Sequence, residues 1–221
     1  MHVSDLPMKT QDYLKILWDI AERTGEPASL GEIAAILGQR TSTTSEAIKR
    51  LGAQDLVHHE RYGGITLTDL GRSLALGMAR RHRLIETFLV RTLGYSWDEV
   101  HTEADMLEHA VSDEFIARLD THLGHPTHDP HGDPIPTAQG EVEDMDRLHL
   151  GQIEPGTVVE VLRIHDGDPE LLRYLAKHGI VPGQQLSLGE AAFGGMQLVN
   201  VGSREVALAD AGLAAINVRE V

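Results

Sequence analysis

Four side chains that can ligate a metal fall on one face of a predicted helix within nine residues, His101-Thr102-Glu103-Ala104-Asp105-Met106-Leu107-Glu108-His109. At roughly 100° per residue on a helix, His101, Asp105, Glu108 and His109 occupy an arc of roughly 100°, about the width of the stripe a helix turns toward a neighbour. His82 and Glu86 stand one turn apart in a second helical pattern, Ala79-Arg80-Arg81-His82-Arg83-Leu84-Ile85-Glu86. Two helices therefore offer imidazole nitrogen and carboxylate oxygen, a donor set that suits divalent cations. Histidine and glutamate at helical spacing also make an ordinary solvated face, so the surrounding elements decide between the two readings.

The composition narrows the field. A chain of 221 residues exceeds one typical domain and predicts two or three modules, and 41% hydrophobic content is enough for a buried core. Cysteine is absent, which excludes disulfides, cysteine-ligated zinc and thiol catalysis. No apolar run approaches the roughly 18 residues of a spanning helix, and the first residues lack the charged and apolar regions of a secretory signal. A soluble cytoplasmic protein is the expectation, with no membrane partner. The net charge of −15 is unevenly spread: residues 1–95 carry 12 Lys and Arg against 11 Asp and Glu, and residues 96–221 carry 7 against 23. That asymmetry suits a first module that meets DNA and a remainder that gathers cations.

In chain order, Thr10 is placed to cap a helix over 11–23, with Tyr13, Leu14, Leu17, Trp18 and Ala21 as its stripe and Asp12 one position off it. Ser29 caps a short helix ended by Gly38, and a third helix runs over 42–54 with Ala47, Ile48 and Leu51 inward. Residues 56–67 alternate around Gly63-Gly64 and predict a β-hairpin. Two short helices, a tight turn and a hairpin make a winged helix-turn-helix, whose second helix enters the major groove N-terminus first. The residues expected to meet DNA are Ser29, Gln39, Arg40, Ser42, Thr43, Thr44, Glu46, Lys49 and Arg50, with Arg61 on the hairpin. Glu46 is unusual there, although a carboxylate can accept from cytosine N4.

A long helix over 70–93 and the two helical patterns after it predict a helical dimerisation unit, since such readers usually bind DNA as two-fold dimers. Residues 122–136 are a Pro- and Gly-rich loop whose four histidines read better as incidental than as ligands. An acidic linker follows. From Leu150 onward, alternating Val, Ile and Leu around Gly turns, interrupted by a short helix over 170–177, predict a small β-barrel. The fold expected is mainly α with a C-terminal small β-barrel. Its domains are a winged helix over 1–72, a helical dimerisation domain over 73–136, a linker over 137–149 and the small β-barrel over 150–221.

Several stretches together resemble the diphtheria toxin repressor family of metal-dependent regulators, over almost the whole chain. They are Asp12-Tyr13-Leu14, Arg81-His82-Arg83-Leu84-Ile85-Glu86, His101 to His109 with Ser112-Asp113-Glu114, and His131-Gly132-Asp133-Pro134-Ile135-Pro136. Asp168-Pro169-Glu170-Leu171-Leu172-Arg173-Tyr174-Leu175 and Ile180-Val181-Pro182-Gly183 resemble its SH3-like domain. The resemblance implies a homodimeric repressor that binds double-stranded operator DNA, with two metal sites per subunit and no small organic substrate.

Position by position, the primary site it implies is Asp12, Asp105, Glu108 and His109, with the Asp105 carbonyl as a further donor. The ancillary site is His82, Glu86 and His101, completed by Asp168, with Glu170 standing in because the family's amide position falls on Leu171. Iron-type members place Met and Cys where this chain has Asp12 and Asp105. Hard oxygen in place of sulfur points to Mn²⁺, with Fe²⁺ as the alternative because an all-oxygen and nitrogen site binds both. Lys15 departs from the compact manganese-type pattern, which has a carboxylate there. A metallohydrolase using the same cluster to activate water is the rival from another class, and a DNA-binding metal buffer with structural histidines is a third reading. Neither uses as many of the features.

Overall fold

The computed structural model describes residues 2–60 and 64–221, which form two compact units. The first comprises Met1–His82, Met106–Arg118 and Ile135–Asp144, and the second Arg83–Asp105, Leu119–Pro134 and Met145–Val221.

After a 3-10 turn over Val3–Asp5, the first unit has α1 (Met8–Thr24), α2 (Leu30–Ile36) and α3 (Thr41–Ala53), then β1 (Val57–Glu60) and β2 (Gly64–Leu67). Helix α1 starts a turn earlier than its stripe suggests: Pro7 is the cap and Thr10 lies inside the helix. Proline fixes φ near the value that a helix start accepts and gives up a donor that would have no intrahelical partner, so it can open the helix without a side-chain cap. Gly25 then ends α1 in the left-handed conformation. Ser29 caps α2 as expected, its hydroxyl accepting from Glu32 N–H while the Glu32 carboxylate returns to Ser29 N–H.

Strands β1 and β2 pair antiparallel from Val57↔Leu67 to Glu60↔Gly64, and the hairpin position of Arg61 lies outside the described residues. Tyr13, Leu14, Leu17, Trp18, Ile33, Ile48, Leu51, Leu56 and Ile65 share one core with Leu74 and Met78. The last two lie on α4 (Asp69–Leu93), a 25-residue helix whose later half belongs to the second unit. No helix of the described residues is long and apolar enough to cross a membrane.

Helices α5 (Val100–Leu107) and α6 (Asp113–His122) follow. Helix α5 ends before the last two of the four candidate ligands, so Glu108 and His109 lie in the turn beyond it, where Ala110 N–H bonds Leu107 carbonyl. The single helical face expected for all four holds only for His101 and Asp105.

The C-terminal part contains β3 (Val158–Ile164), α7 (Pro169–His178), β4 (Gln185–Ala191), β5 (Gln197–Val201), β6 (Arg204–Leu208), α8 (Asp210–Ala214) and β7 (Ile216–Glu220). The strands form an antiparallel sheet in the order β6-β5-β4-β3-β7. Its inward residues, among them Val159, Val161, Leu186, Val199 and Val218, pack with Leu172 and Leu175 of α7, and Trp97 leans on the same core. The alternation read from the sequence is the alternation of a sheet that buries one face.

Candidate metal centres and DNA-facing helix

In the first unit, α1 and the turn after α5 bring Asp12, Glu108 and His109 together, with one ligand atom from each lying within 4.8 Å of the others. His109 Nε2 is 2.9 Å from Asp12 Oδ1 and 3.6 Å from Glu108 Oε1. Its other nitrogen, Nδ1, is 2.8 Å from Gln11 Oε1. Glu108 is fully buried and also bonded on its far side: Lys15 Nζ lies 2.9 and 3.0 Å from its two oxygens, and His82 Nδ1 lies 2.6 Å from Oε2. Burial alone would raise the Glu108 pKa, but the bond from His82 and the Lys15 charge outweigh it and hold the carboxylate below its ordinary range. His82 thus has its Nδ1 against Glu108, and it also offers a ligand atom to the group with Glu86 and His101 in which it was expected.

In the second unit, His101 Nδ1 lies 2.8 Å from Asp166 and 3.5 Å from Glu86, and its Nε2 is 3.5 Å from Asp105, one turn on along α5. The carboxylate that reaches His101 from the C-terminal part is therefore Asp166. Asp168 and Glu170 are both exposed, and Asp168 Oδ1 accepts from Glu170 and Leu171 N–H to cap α7. The physical reason is local: a helix start with Pro at its first position leaves N–H donors that the preceding Asp is placed to satisfy.

Glu86 also meets Asp129 and His131, again within 4.8 Å, and all three are buried. His131, taken as incidental in a Pro-rich loop, is completely buried. Its Nε2 lies 2.6 Å from the Trp97 carbonyl, its ring stacks on the Trp97 indole, and its Nδ1 faces Glu86 at 3.6 Å. Gly132 makes this possible: φ is +91°, and a Cβ there would come within 2.1 Å of the Leu162 carbonyl oxygen. The turn is held by Asp129 Oδ1, which accepts from His131 and Asp133 N–H, and by Arg163 bonding Asp133.

The electrostatics of this set favour extra positive charge. Burial opposes protonation of His101, but hydrogen bonds to Asp166 and Glu86 overcome it and raise its pKa to about 11. Burial likewise opposes protonation of His131, yet Glu86, Asp129 and Asp166 raise it to about 10. The Asp129 carboxyl is raised well above its ordinary value by burial and by the Asp133 and Glu86 charges. Buried carboxylates are costly unless paired or coordinating a metal; Asp12 with Glu108 and His109, Glu86 with His101 and Asp166, and Glu86 with Asp129 and His131 each gather oxygen and nitrogen donors within 4.8 Å of one another. The residues present fit a divalent ion in each.

On the DNA side, Ser42, Thr43, Glu46, Lys49 and Arg50 are exposed on α3, with Arg40 at its N-cap. Thr44 departs from expectation: it is fully buried, because it shares the stripe of Ala47, Ile48 and Leu51 and its hydroxyl turns back to Arg40 carbonyl at 3.5 Å. Gln39 is half-buried and donates to Tyr13 Oη at 2.5 Å, while Ser29 remains exposed with its oxygen engaged in the α2 cap. Glu46 pairs with Lys49 at 2.8 Å, so its charge is balanced on its own helix. Asp166, Asp129 and His131 are the cluster members that sequence reasoning passed over; for Asp129 and His131 the signal is the run His131-Gly132-Asp133, in which glycine permits the close approach to β3.

Three family profiles cover most of the chain: an iron dependent repressor N-terminal DNA binding domain over 5–65, an iron dependent repressor metal binding and dimerisation domain over 68–137, and a FeoA domain over 148–220. The iron-dependent repressor IdeR of Mycobacterium tuberculosis H37Rv is 31% identical over 231 residues, covering 99% of this chain and 100% of that protein. A solved manganese-dependent transcriptional repressor in complex with manganese matches with a TM-score of 0.90 and 46% identity over 96% of this chain and 100% of the other. The repressor ScaR with bound Cd²⁺ matches at 0.83 and 34% identity, over 96% and 99%. The chain thus carries a DNA-binding domain, a dimerisation domain and an SH3-like FeoA domain on a scaffold whose members regulate transcription rather than catalyse reactions. It belongs to the diphtheria toxin repressor family and is a metal-dependent transcriptional repressor.

Proposed function

We propose that the chain is activated by Mn²⁺ and, as a homodimer, binds palindromic operators that control metal-ion uptake genes. The observation that carries this reading is the Asp12, Glu108 and His109 cluster, because Asp12 stands on the first helix of the DNA-binding domain while Glu108 and His109 belong to the dimerisation domain. A divalent cation bound there supplies the positive charge that holds two carboxylates and an imidazole together. Asp12 then fixes α1, and through their shared core α3, against the turn after α5. In a dimer the two α3 helices are thereby held at the separation of successive major grooves, about 34 Å.

Manganese is supported by the donor set, which contains carboxylate oxygen and imidazole nitrogen and no sulfur, and by neighbours described as manganese-dependent. We assign two sites per subunit. The first uses Asp12, Glu108 and His109, with Asp105 of the sequence-derived set at the preceding turn. The second is built on Glu86 and His101, with Asp166 in the place expected for Asp168 or Glu170 and with Asp129 and His131 in reach. Iron(II) is the second reading, favoured by relatives described as iron-dependent repressors.

The test is fluorescence anisotropy on DNA from upstream of metal-transport genes, at one fixed salt concentration, with chelator, Mn²⁺ or anaerobic Fe²⁺. Tight binding with Mn²⁺ that chelator abolishes is the expected result. Equal binding with chelator would remove the metal switch, and a stronger response to Fe²⁺ would move the assignment to iron.

A further inference from the structure

Gln11 adjoins Asp12 on α1, yet it points into the protein and is only 3% exposed. Its amide is used on every side. Nε2 donates to Val3 carbonyl at 3.1 Å and to Leu6 carbonyl at 2.8 Å, and Oε1 lies 2.8 Å from His109 Nδ1. Two carbonyl oxygens can only accept, so the NH₂ end must face them and the oxygen must face the imidazole. His109 Nδ1 must then be the donor. That leaves Nε2, 2.9 Å from Asp12 Oδ1, as the nitrogen that can ligate.

We infer that Gln11 is a positioning residue for the Asp12, Glu108 and His109 cluster. It selects Nε2 of His109 as the ligating nitrogen and ties the N-terminal segment, through Val3 and Leu6, to the shape of the metal site. The inference rests on the metal reading of that cluster. Its physical basis is general: a ligating histidine usually donates its second N–H to an oxygen acceptor, which fixes tautomer and ring orientation. The same logic recurs in the second unit, where the Trp97 carbonyl faces His131 Nε2 and leaves Nδ1 toward Glu86. There the acceptor is backbone, which no substitution removes; in the first unit it is a side chain, which one can.

Mn²⁺ binding to the full chain, followed by the electron paramagnetic resonance signal of free Mn²⁺, tests this in a background carrying H101A and H131A, which reports the first cluster, and in an H109A background, which reports the second. In the H101A and H131A background, Q11L removes both donor and acceptor and is expected to weaken the first cluster about 10- to 100-fold. In the H109A background it should leave the second cluster unchanged. Q11E keeps an acceptor for His109 but cannot donate to Val3 and Leu6, so it should retain at least wild-type affinity in the first cluster while backbone amides near residues 3–6 exchange faster with solvent. Unchanged first-cluster affinity in Q11L, or equal loss in both clusters, would overturn the positioning role. If H109A alone leaves the wild-type isotherm unaltered, the metal reading of the cluster fails, and the inference with it.

Discussion

The two clusters solve the same electrostatic problem with different cations. In the first unit, the buried Glu108 carboxylate is met by the Lys15 ammonium as well as by His82, and the Lys15 charge helps to hold it ionised. In the second, Glu86, Asp129 and Asp166 gather imidazoles, His101 and His131 among them, which are positive only while they hold a proton, and the Arg83 charge acts on Asp129 as well. The second should exchange protons for metal, since a ligating imidazole must surrender one.

The largest expected effect comes from breaking the first cluster. Asp12→Ala should leave the fold intact yet reduce operator affinity in Mn²⁺ to its value in chelator, a loss of roughly 5- to 150-fold if the coupling is of ordinary allosteric size. Anisotropy with and without Mn²⁺ measures it, and a preserved metal response would contradict the assignment of this cluster as the activating one.

Next comes the contrast within the second. Asp166→Asn should weaken Mn²⁺ binding there by about tenfold or more, taking the lower end of what loss of a ligand-shell group costs. Asp168→Asn should leave Mn²⁺ binding unchanged. Isothermal titration of the two variants against wild type reads this, and the reverse order would restore Asp168 as the ligand.

The imidazoles of the second cluster also predict a pH response. His101 and His131 have folded-state pKa values near 11 and 10 against an ordinary 6.5. A raised value means that the stabilisation is fully present below about pH 6.5, where both states are protonated, and is lost as pH rises through 10 and 11. Metal-free protein should melt at progressively lower temperature across that window, and His101→Gln should flatten the dependence. Mn²⁺ affinity of the second cluster should rise with pH over the same range. Calorimetric melts in chelator, and Mn²⁺ titrations of the H109A variant at pH 7 and pH 9, measure the two effects.

The smallest effect serves as a control on the scaffold. Ser29→Ala removes the α2 capping box, at a cost of about 1 kcal/mol, and should lower the melting temperature by a few degrees without altering Mn²⁺ stoichiometry. A change in stoichiometry would mean that the winged helix and the clusters are less independent than their separate hydrogen-bond networks suggest.

Much of this architecture is written in local pattern. The stripe of Tyr13, Leu14, Leu17 and Trp18, the Ser29 cap, the long helix through His82 and the alternating C-terminal strands all follow from periodicity and end signals, which depend on neighbours a few residues away. Thr44 shows the limit of that reading even within one helix: its hydroxyl suggested an outward face, but its place one turn from Ala47 and Ile48 sets it inside.

The structure does bring Asp12 to Glu108 and His109 across the sequence, but other ligand assignments between distant segments differ. Asp166 rather than Asp168 meets His101 because the second carboxylate is drawn to the start of α7, and only the path of the loop after β3 shows which remains for the cluster. His131 looked like one of several incidental histidines until Gly132 let the chain press against β3 and buried the ring beside Trp97 and Glu86. Gln11 carried no signal at all, since its role depends on three groups, two upstream carbonyls and an imidazole 98 residues away. By itself the sequence determined the elements, the family and the chemical type of the donors, because propensity, capping and residue identity are local properties. Which donors converge, which nitrogen each imidazole presents and which carboxylate is diverted to a helix cap were decided by tertiary structure, because each depends on distances between segments that only packing sets.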